Sequence, residues 1–306
     1  MHLIFTEVET SLLVIAVDLH SRQRYLREHP SQLMHVLDSV VTLANMHLML
    51  KTKNKVAIVG CNAARSDFIF CDTDAIQPQP GQSGQSGLAR QSDGQYELFA
   101  HLETSVKQNI KKFSVDENSS FFDDKDGESL IAGALTMALC YINRMNREKA
   151  TGEKLNSRLL IVTGCSGGAS QHMAYMNVFF TAQKLNIVLD VCSLDYELGL
   201  LQQGCDITGG LFLKIPQLQG LLQYLLWVFL PEPPIRKKLV LPPPAKVDYR
   251  AACFCHRNLI DIGFVCSICL SIFCKFSPIC TTCNTVFKPP GSLLSKKKKK
   301  ANKNVC

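Results

Sequence analysis

The 306-residue chain lacks several features that mark common functional classes. It has no G-x-x-x-x-G-K-[ST] loop, which excludes ATP hydrolysis of the P-loop type. Its first apolar run, Leu12–Val17, follows Glu7 and Glu9 rather than a basic stretch, so no secretory signal is predicted. The most apolar later stretch, Leu218–Leu230, is too short to cross a bilayer. The sequence therefore predicts a protein inside the cell, without a membrane segment, whose thiols stay reduced.

The body of the chain also lacks net charge. The formal charge is +7, and the lysines from Lys288 onward, with no acid among them, account for all of it; they are Lys288, Lys296 to Lys300 and Lys303. A lysine run of this kind is typical of a nuclear-import signal or of a weak contact with a polyanion. The sequence predicts a disordered tail over residues 289–306 and a nuclear protein that binds nucleic acid weakly if at all.

Cysteine, in contrast, is abundant, and half of the 14 cysteines fall between Cys253 and Cys283. Two C-x-x-C turns, Cys266–Cys269 and Cys280–Cys283, are separated by ten residues. Zinc prefers four soft ligands at tetrahedral corners, and each such turn presents two thiolates to one ion. A disulfide cluster would require an oxidising compartment, which nothing here indicates. We therefore predict a structural zinc ion held by Cys266, Cys269, Cys280 and Cys283.

The remaining cysteines of this stretch leave two arrangements open. In the simpler one, a single zinc ion is bound and the other thiols are structural. In the fuller one, a second ion is held by ligands drawn from Cys253, Cys255, His256 and Cys274, interleaved with the first as in RING-type modules. Either way the module is too small to fold by burial alone, and zinc supplies on the order of 10 kcal/mol in such cases.

Upstream of the cysteines, short aliphatic runs alternate with helical patterns, which predicts a mainly parallel sheet flanked by helices. Uninterrupted apolar runs are typical of strands that are covered on both faces. The predicted strands are Leu12–Val17, Val56–Val59, Leu159–Val162 and Ile187–Val191, with weaker candidates at Phe68–Phe70 and Leu211–Leu213. The predicted helices are Gln32–Leu50, Leu98–Phe113, Ser129–Arg147, Ala169–Leu185, Leu200–Ile207 and Leu218–Phe229.

Composition also predicts the division of the chain. An α/β domain spans residues 10–232, interrupted by a polar Gln, Gly and Ser-rich insert at about 77–94 that is too polar to pack. A Pro-rich linker follows at 233–250, and the zinc module occupies 251–288. Six prolines between Pro231 and Pro244 stiffen the connection.

Several stretches resemble the TFIIH core subunits that join a von Willebrand A-like domain to a C-terminal zinc module. The most specific are LLVIAVD, SLIAGALTMALCYINRMNRE, GLLQQGCDITGGLFLKIPQ with LLQYLLWVFLP, and PPPAKVDYRAACFCHRNLIDIGFVCSICLSIFCKFSPICTTC. The resemblance implies a Rossmann-type sheet and a non-catalytic, structural role in RNA polymerase II transcription initiation and nucleotide excision repair. It implies contacts with the larger von Willebrand A and RING-bearing subunit of the same core, and an indirect influence on the helicase subunits.

Von Willebrand A domains often hold Mg²⁺ through Asp-x-Ser-x-Ser, a threonine and a second aspartate, and this chain departs from that pattern. Its first loop has Asp18 followed by His20 and Arg22 where the serines would stand, and Thr163-Gly164 replaces the Thr-Asp-Gly of the third loop. Ser129 could replace the threonine, but Mg²⁺ needs more oxygen ligands than these. We expect the site to be degenerate and empty, with Asp18 accepting hydrogen bonds from loop backbone.

Other functions have weaker support. Gly164–Gly168 matches G-x-S-x-G between a strand and a helix, but neither His172 nor His256 is well placed for a hydrolase triad with Ser166. A RING-type ubiquitin ligase would need a cleaner eight-ligand pattern. A zinc-ribbon nucleic-acid binder would need more cations than Arg257 and Lys275 in the module. An apolar surface on the module favours docking on protein; its predicted members are Phe264, Ile268, Ile272, Phe273 and Phe276.

Overall fold

The computed structural model describes residues 8–20, 31–71, 95–119, 128–149, 153–165, 171–243, 246–256 and 259–287. The predicted insert at 77–94, the tail at 289–306, Arg22 and Ser166 all lie outside these ranges. The chain divides into two compact units, Met1–Asp248 and Tyr249–Cys306.

Within the described ranges, the first unit contains a six-stranded sheet in the order β3-β2-β1-β4-β5-β6. Every neighbouring pair is parallel except β2 and β3. The strands are β1 (Val8–Asp18), β2 (Lys55–Cys61), β3 (Ser66–Cys71), β4 (Glu153–Thr163), β5 (Val188–Ser193) and β6 (Phe212–Lys214). This order is that of doubly wound Rossmann-type sheets, and it confirms the predicted α/β class with a mainly parallel sheet flanked by helices.

Helices cover both faces of the sheet. They are α1 (Ser31–Leu50), α2 (Gln95–Ser119), α3 (Ile131–Glu148), α4 (His172–Lys184) and α5 (Gly199–Thr208), followed by the short α6 (Leu221–Tyr224) and α7 (Pro233–Arg236). All six predicted strands and the first five predicted helices are present, with bounds that differ from the expected ones by six residues at most.

The alternation of side chains along β1 explains why the sheet is buried on both faces. Leu12, Val14 and Ala16 pack with residues of α3, α4 and α5. Their neighbours Leu13, Ile15 and Val17 point to the opposite face, where α1, α2 and the segment from α6 to Phe229 cover them. A strand whose successive side chains enter two cores must be apolar at every position.

The last predicted helix of this unit, Leu218–Phe229, is not one regular helix. It consists of a 3₁₀ turn at Leu218–Gly220, then α6, then a π-helical turn at Leu225–Phe229. Leu221, Leu225, Val228 and Phe229 are buried as expected, but Trp227 is 77% exposed. The apolar stripe of this segment, with Tyr224 and Trp227, predicts core positions with a share facing a partner subunit, and the core position was wrong for Trp227. At about 100° per residue, Trp227 lies on the opposite side of the helix from Leu221, Leu225 and Val228.

Helix α1 is long and apolar enough to cross a membrane by length and composition alone. Its residues Val36, Val40 and Leu43 are buried against the sheet, and His47 is fully buried near its end. Burial of this kind is that of a core helix, since the apolar face already has a protein partner.

The Pro-rich segment after the sheet is largely exposed and contacts the rest of the first unit at a few positions. Arg236 in α7 is buried, and Leu241 contacts the core on the α1 side of the sheet. Gln203 donates a hydrogen bond to the carbonyl of Asp248 at 2.6 Å.

The described part of the second unit contains two short antiparallel strand pairs and an isolated bridge between Ile279 and Val286. One pairs β7 (Ala251–Ala252) with β8 (Leu259–Ile260), and the other pairs β9 (Phe264–Val265) with β10 (Ile272–Phe273). Its described buried side chains centre on Cys266, Phe273 and Cys280. So small a core supplies little burial energy.

Candidate metal centres

Four cysteines of the second unit converge on one point. The sulfur atoms of Cys266, Cys269, Cys280 and Cys283 all lie within 4.8 Å of one another. The sulfurs of Cys266 and Cys283 are 3.6 Å apart, and those of Cys269 and Cys280 are 3.5 Å apart. Four thiolates around a tetrahedral zinc, each about 2.3 Å from the metal, are separated by about 3.8 Å. The donor set and its spacing therefore fit zinc.

The two C-x-x-C turns have the same local structure. In the first, the Cys266 amide donates to the Ser271 carbonyl, and the Leu270 amide donates to the Cys266 carbonyl. The second turn, beginning at Cys280, repeats both bonds with Thr285 and Asn284. Leu270 and Asn284 have positive φ of 60° and 58°, a conformation that Asn tolerates better than Leu. A 14-residue step therefore relates two equivalent knuckles.

Each knuckle also places a hydroxyl beside its second thiol. The hydroxyl of Ser271 lies 3.1 Å from the sulfur of Cys269, and that of Thr285 lies 3.0 Å from the sulfur of Cys283. These contacts lower the pKa of Cys269 and of Cys283, which favours the thiolate that binds metal. Neither hydroxyl was among the predicted site residues, although C-x-x-C-x-[ST] occurs at both turns.

A second group brings together the other candidate ligands. The ligand atoms of Cys253, Cys255, His256 and Cys274 also lie within 4.8 Å of one another. Cys253 is buried, Cys274 is half-buried, and Cys255 and His256 are exposed. The eight candidate ligands thus form two groups of four. One group takes two ligands from each C-x-x-C turn, and the other takes three neighbouring ligands and then Cys274.

The predicted apolar surface of this unit needs one correction. Phe264, Ile268 and Phe276 are exposed as expected, whereas Phe273 is buried beside Cys266 and Cys280 and Ile272 is half-buried. Strand β10 turns Phe273 inward. Other exposed apolar side chains extend the surface: Ile262, Val265, Leu270 and Val286.

The carboxyl ends of β1 and β4 hold the remnant of the magnesium pattern. Asp18 is buried; its Oδ1 accepts hydrogen bonds from the Ser129 hydroxyl at 2.7 Å and the His20 amide at 3.2 Å, and its Oδ2 accepts one from the Thr163 hydroxyl at 2.9 Å. Burial raises the pKa of Asp18, and these hydrogen bonds oppose the rise. The cluster has one carboxylate and two hydroxyls, which is a poor ligand set for Mg²⁺.

A buried ion pair between β5 and α7 was not among the predicted features. Arg236 in α7 makes two hydrogen bonds to Asp190, at 2.7 and 2.6 Å, and both residues are buried. Arg158 in β4 donates to the carbonyls of Phe229, Leu230 and Pro231, which end the helical segment. Burial, with the neighbouring charge of Arg236, lowers the pKa of Arg158 to about 10. These contacts fix the chain where it leaves the sheet.

Cysteines scattered through apolar segments usually behave as small core residues, and the sequence predicts this for the six cysteines that precede the module. Cys61, Cys71, Cys165, Cys192 and Cys205 are buried, and Cys140 is exposed on α3. Burial raises the pKa of Cys61, Cys192 and Cys205, which keeps them protonated and unreactive. The prediction was wrong only for Cys140, which lies on the solvent side of its helix.

The fold and the two ligand groups define a class: a von Willebrand A-like α/β domain followed by a cysteine-rich module with two candidate metal centres. The family model described as Transcription factor Tfb4 matches residues 10–284. The chain therefore belongs to the Tfb4 family.

Named relatives agree with this assignment. The chain is 34% identical to the general transcription and DNA repair factor IIH subunit tfb4 of Schizosaccharomyces pombe, over 90% of this chain and 89% of the relative. It is 32% identical to the subunit TFB4 of Arabidopsis thaliana, over 96% and 95%. The crystal structure of the TFIIH p34 N-terminal domain covers 71% of this chain and 96% of its own, with 26% identity and a TM-score of 0.55.

Proposed function

We propose that this chain is a non-catalytic structural subunit of the TFIIH core, acting in transcription initiation and nucleotide excision repair in the nucleus. The observation that carries the proposal is the family match over residues 10–284, which includes both units. Relatives that match over most of their length are named as subunits of general transcription and DNA repair factor IIH.

Zinc at Cys266, Cys269, Cys280 and Cys283 is part of this proposal. The four sulfurs lie at separations suited to a tetrahedral ion, and two hydroxyls stabilise the thiolates. An ion with four protein ligands has no open coordination position, so it would organise the module rather than activate a substrate.

The partner that we propose is the larger von Willebrand A and RING-bearing subunit of the same core. The second unit exposes Ile262, Ile268, Leu270 and Val286, each more than two-thirds accessible. An apolar surface on so small a unit favours a protein partner over nucleic acid. The described cations of the unit are Arg250, which pairs with Asp261 at 3.2 Å, and Lys275, so its cationic surface is small.

The experiment is co-expression of the full chain with tagged larger subunit, followed by affinity capture. We expect stoichiometric retention of the wild type, and weaker retention of Ile268→Glu with an unchanged zinc content. Deletion of residues 295–306 serves as the matched control and should leave retention unchanged. Failure of the wild-type chain to be retained would contradict the proposed partner.

A RING-type ubiquitin ligase is the second candidate, and one observation favours it. The eight ligand atoms do form two groups that alternate along the chain, although the expected clean pattern is replaced by three-plus-one ligands in one group. The ligase predicts binding to a ubiquitin-conjugating enzyme and accelerated discharge of its ubiquitin. If the zinc-loaded chain showed neither activity, the ligase would be excluded and the structural role would be the remaining candidate.

A further inference from the structure

We infer that Cys253, Cys255, His256 and Cys274 hold a second zinc ion through three sulfurs and one nitrogen. The proposed site lies in the second unit alone and does not depend on assembly into TFIIH. With it, the unit would bind two zinc ions rather than one.

The separations between the ligand atoms support an ion at this position. The sulfurs of Cys255 and Cys274 are 3.4 Å apart, and the Nδ1 atom of His256 is 3.2 Å from the sulfur of Cys274. Around tetrahedral zinc, with Zn–S of about 2.3 Å and Zn–N of about 2.0 Å, neighbouring ligand atoms are about 3.5–3.8 Å apart. A shift of a few tenths of an ångström would accommodate the metal.

The backbone brings these ligands together from two hairpins. Cys253, Cys255 and His256 follow β7 directly, and Cys274 follows β10 directly. The amide of Phe254 donates to the carbonyl of Ile272 at 2.8 Å, which ties the segment after β7 to β10. The nearness of the four ligands therefore rests on main-chain pairing as well as on side-chain rotamers.

The chemistry of the group selects zinc over other metals. Thiolates with one imidazole suit Zn²⁺, whereas Mg²⁺ and Ca²⁺ require oxygen ligands. The four ligands fill a tetrahedral shell, so this ion too would be structural.

The ligands of the two sites are interleaved along the chain. Cys274 belongs to the second site but lies between the two knuckles of the first, Cys266–Cys269 and Cys280–Cys283. Neither ion can be enclosed by a contiguous segment that excludes the other. The exposed ligands Cys255 and His256 make the second site more accessible to a chelator than the first, in which Cys266 and Cys280 are buried.

The test measures zinc in the purified full chain by native mass spectrometry. We expect two ions in the wild type and in the control Cys140→Ser, and one in Cys274→Ser. The Cys274→Ser protein should keep the ion of the first site. One zinc ion in the wild type, or two in Cys274→Ser, would overturn the inference, as would a Cys255–Cys274 disulfide in protein purified under reducing conditions.

A cobalt experiment tests ligand identity even if Cys274→Ser fails to fold. With Co²⁺ in both sites, His256→Cys should retain two ions, shift the d–d bands towards those of four-sulfur cobalt, and increase the thiolate charge-transfer absorption. The wild type should release its metal to a chelator in two phases of equal amplitude. An unchanged cobalt spectrum in His256→Cys, or a single phase of one equivalent, would count against the second site.

Discussion

Asp18 and the four thiols of the first candidate zinc site differ in the atoms that surround their polar groups. Both oxygens of Asp18 accept hydrogen bonds from hydroxyls or an amide inside a large core. In the second unit, the sulfurs of Cys266 and Cys283 are 3.6 Å apart and those of Cys269 and Cys280 are 3.5 Å apart. These separations suit ligands of one metal ion. The first arrangement is made of protein atoms alone, whereas the second places four thiols where they could share a metal ion. We expect the large core to fold without an ion and the small module to depend on one.

The largest effect should come from removing zinc. Cys266→Ser should abolish the first site and unfold the second unit, because the ion contributes on the order of 10 kcal/mol there. Zinc content and limited proteolysis of the full chain would measure this, with new cleavage expected between residues 249 and 287. Cys140→Ser, an exposed cysteine outside the module, should retain full zinc and resist cleavage. If zinc-free Cys266→Ser resisted the protease as well as the wild type does, folding of the second unit would not depend on zinc.

The next largest effect is expected at the buried ion pair between Asp190 and Arg236 in the first unit. Asp190→Asn leaves Arg236 buried without its carboxylate and should cost about 3–5 kcal/mol. Urea unfolding of the first unit would report the loss. The control is Asp67→Asn, which removes a partner of Arg65 from a surface ion pair at 3.4 Å and should cost under about 1 kcal/mol. Equal costs for the two variants would show that burial does not strengthen the pair.

A smaller effect is expected at Asp18. Asp18→Ala removes the acceptor of the Ser129 and Thr163 hydroxyls and of the His20 amide, and should cost about 1–3 kcal/mol. Thermal unfolding would measure it, with Asp18→Asn as the isosteric comparison. Millimolar Mg²⁺ should leave the wild-type Tm unchanged, since an ion that binds only the folded state would raise it. A rise in Tm with Mg²⁺ that disappears in Asp18→Ala would show that Asp18 does bind the metal.

The smallest effect is a pH dependence from His47 in α1. Burial lowers its pKa from 6.5 to about 4, and its Nε2 donates to the Ser11 carbonyl at 3.4 Å. Between these values the unfolded chain binds more protons, so stability falls as the pH drops below about 6.5. From pH 7 to pH 5 the loss should be about 1–2 kcal/mol. His47→Phe should flatten this slope in urea titrations at both pH values; an unchanged slope would assign it to other groups.

Sequence patterns predicted local features well in both units. The strands were predictable because burial on both faces leaves uninterrupted apolar runs such as Leu12–Val17, and the C-x-x-C turns because a knuckle is a local structure. The antiparallel direction of β3, the division of Leu218–Phe229 into 3₁₀, α and π turns, and the inward position of Phe273 were not predictable. Each depends on neighbouring elements that no local pattern encodes.

The chemical identity of the ligands was set by the sequence alone: thiols in paired turns at one end, and a magnesium motif missing its serines and its second aspartate at the other. Tertiary structure decided which of these side chains meet. Only folding places Thr163 against Asp18, Arg236 against Asp190, and Cys274 beside His256 rather than beside its nearer cysteine neighbours. The reason is physical: residue type fixes what an atom can bind, but pairing between distant strands fixes what lies within its reach.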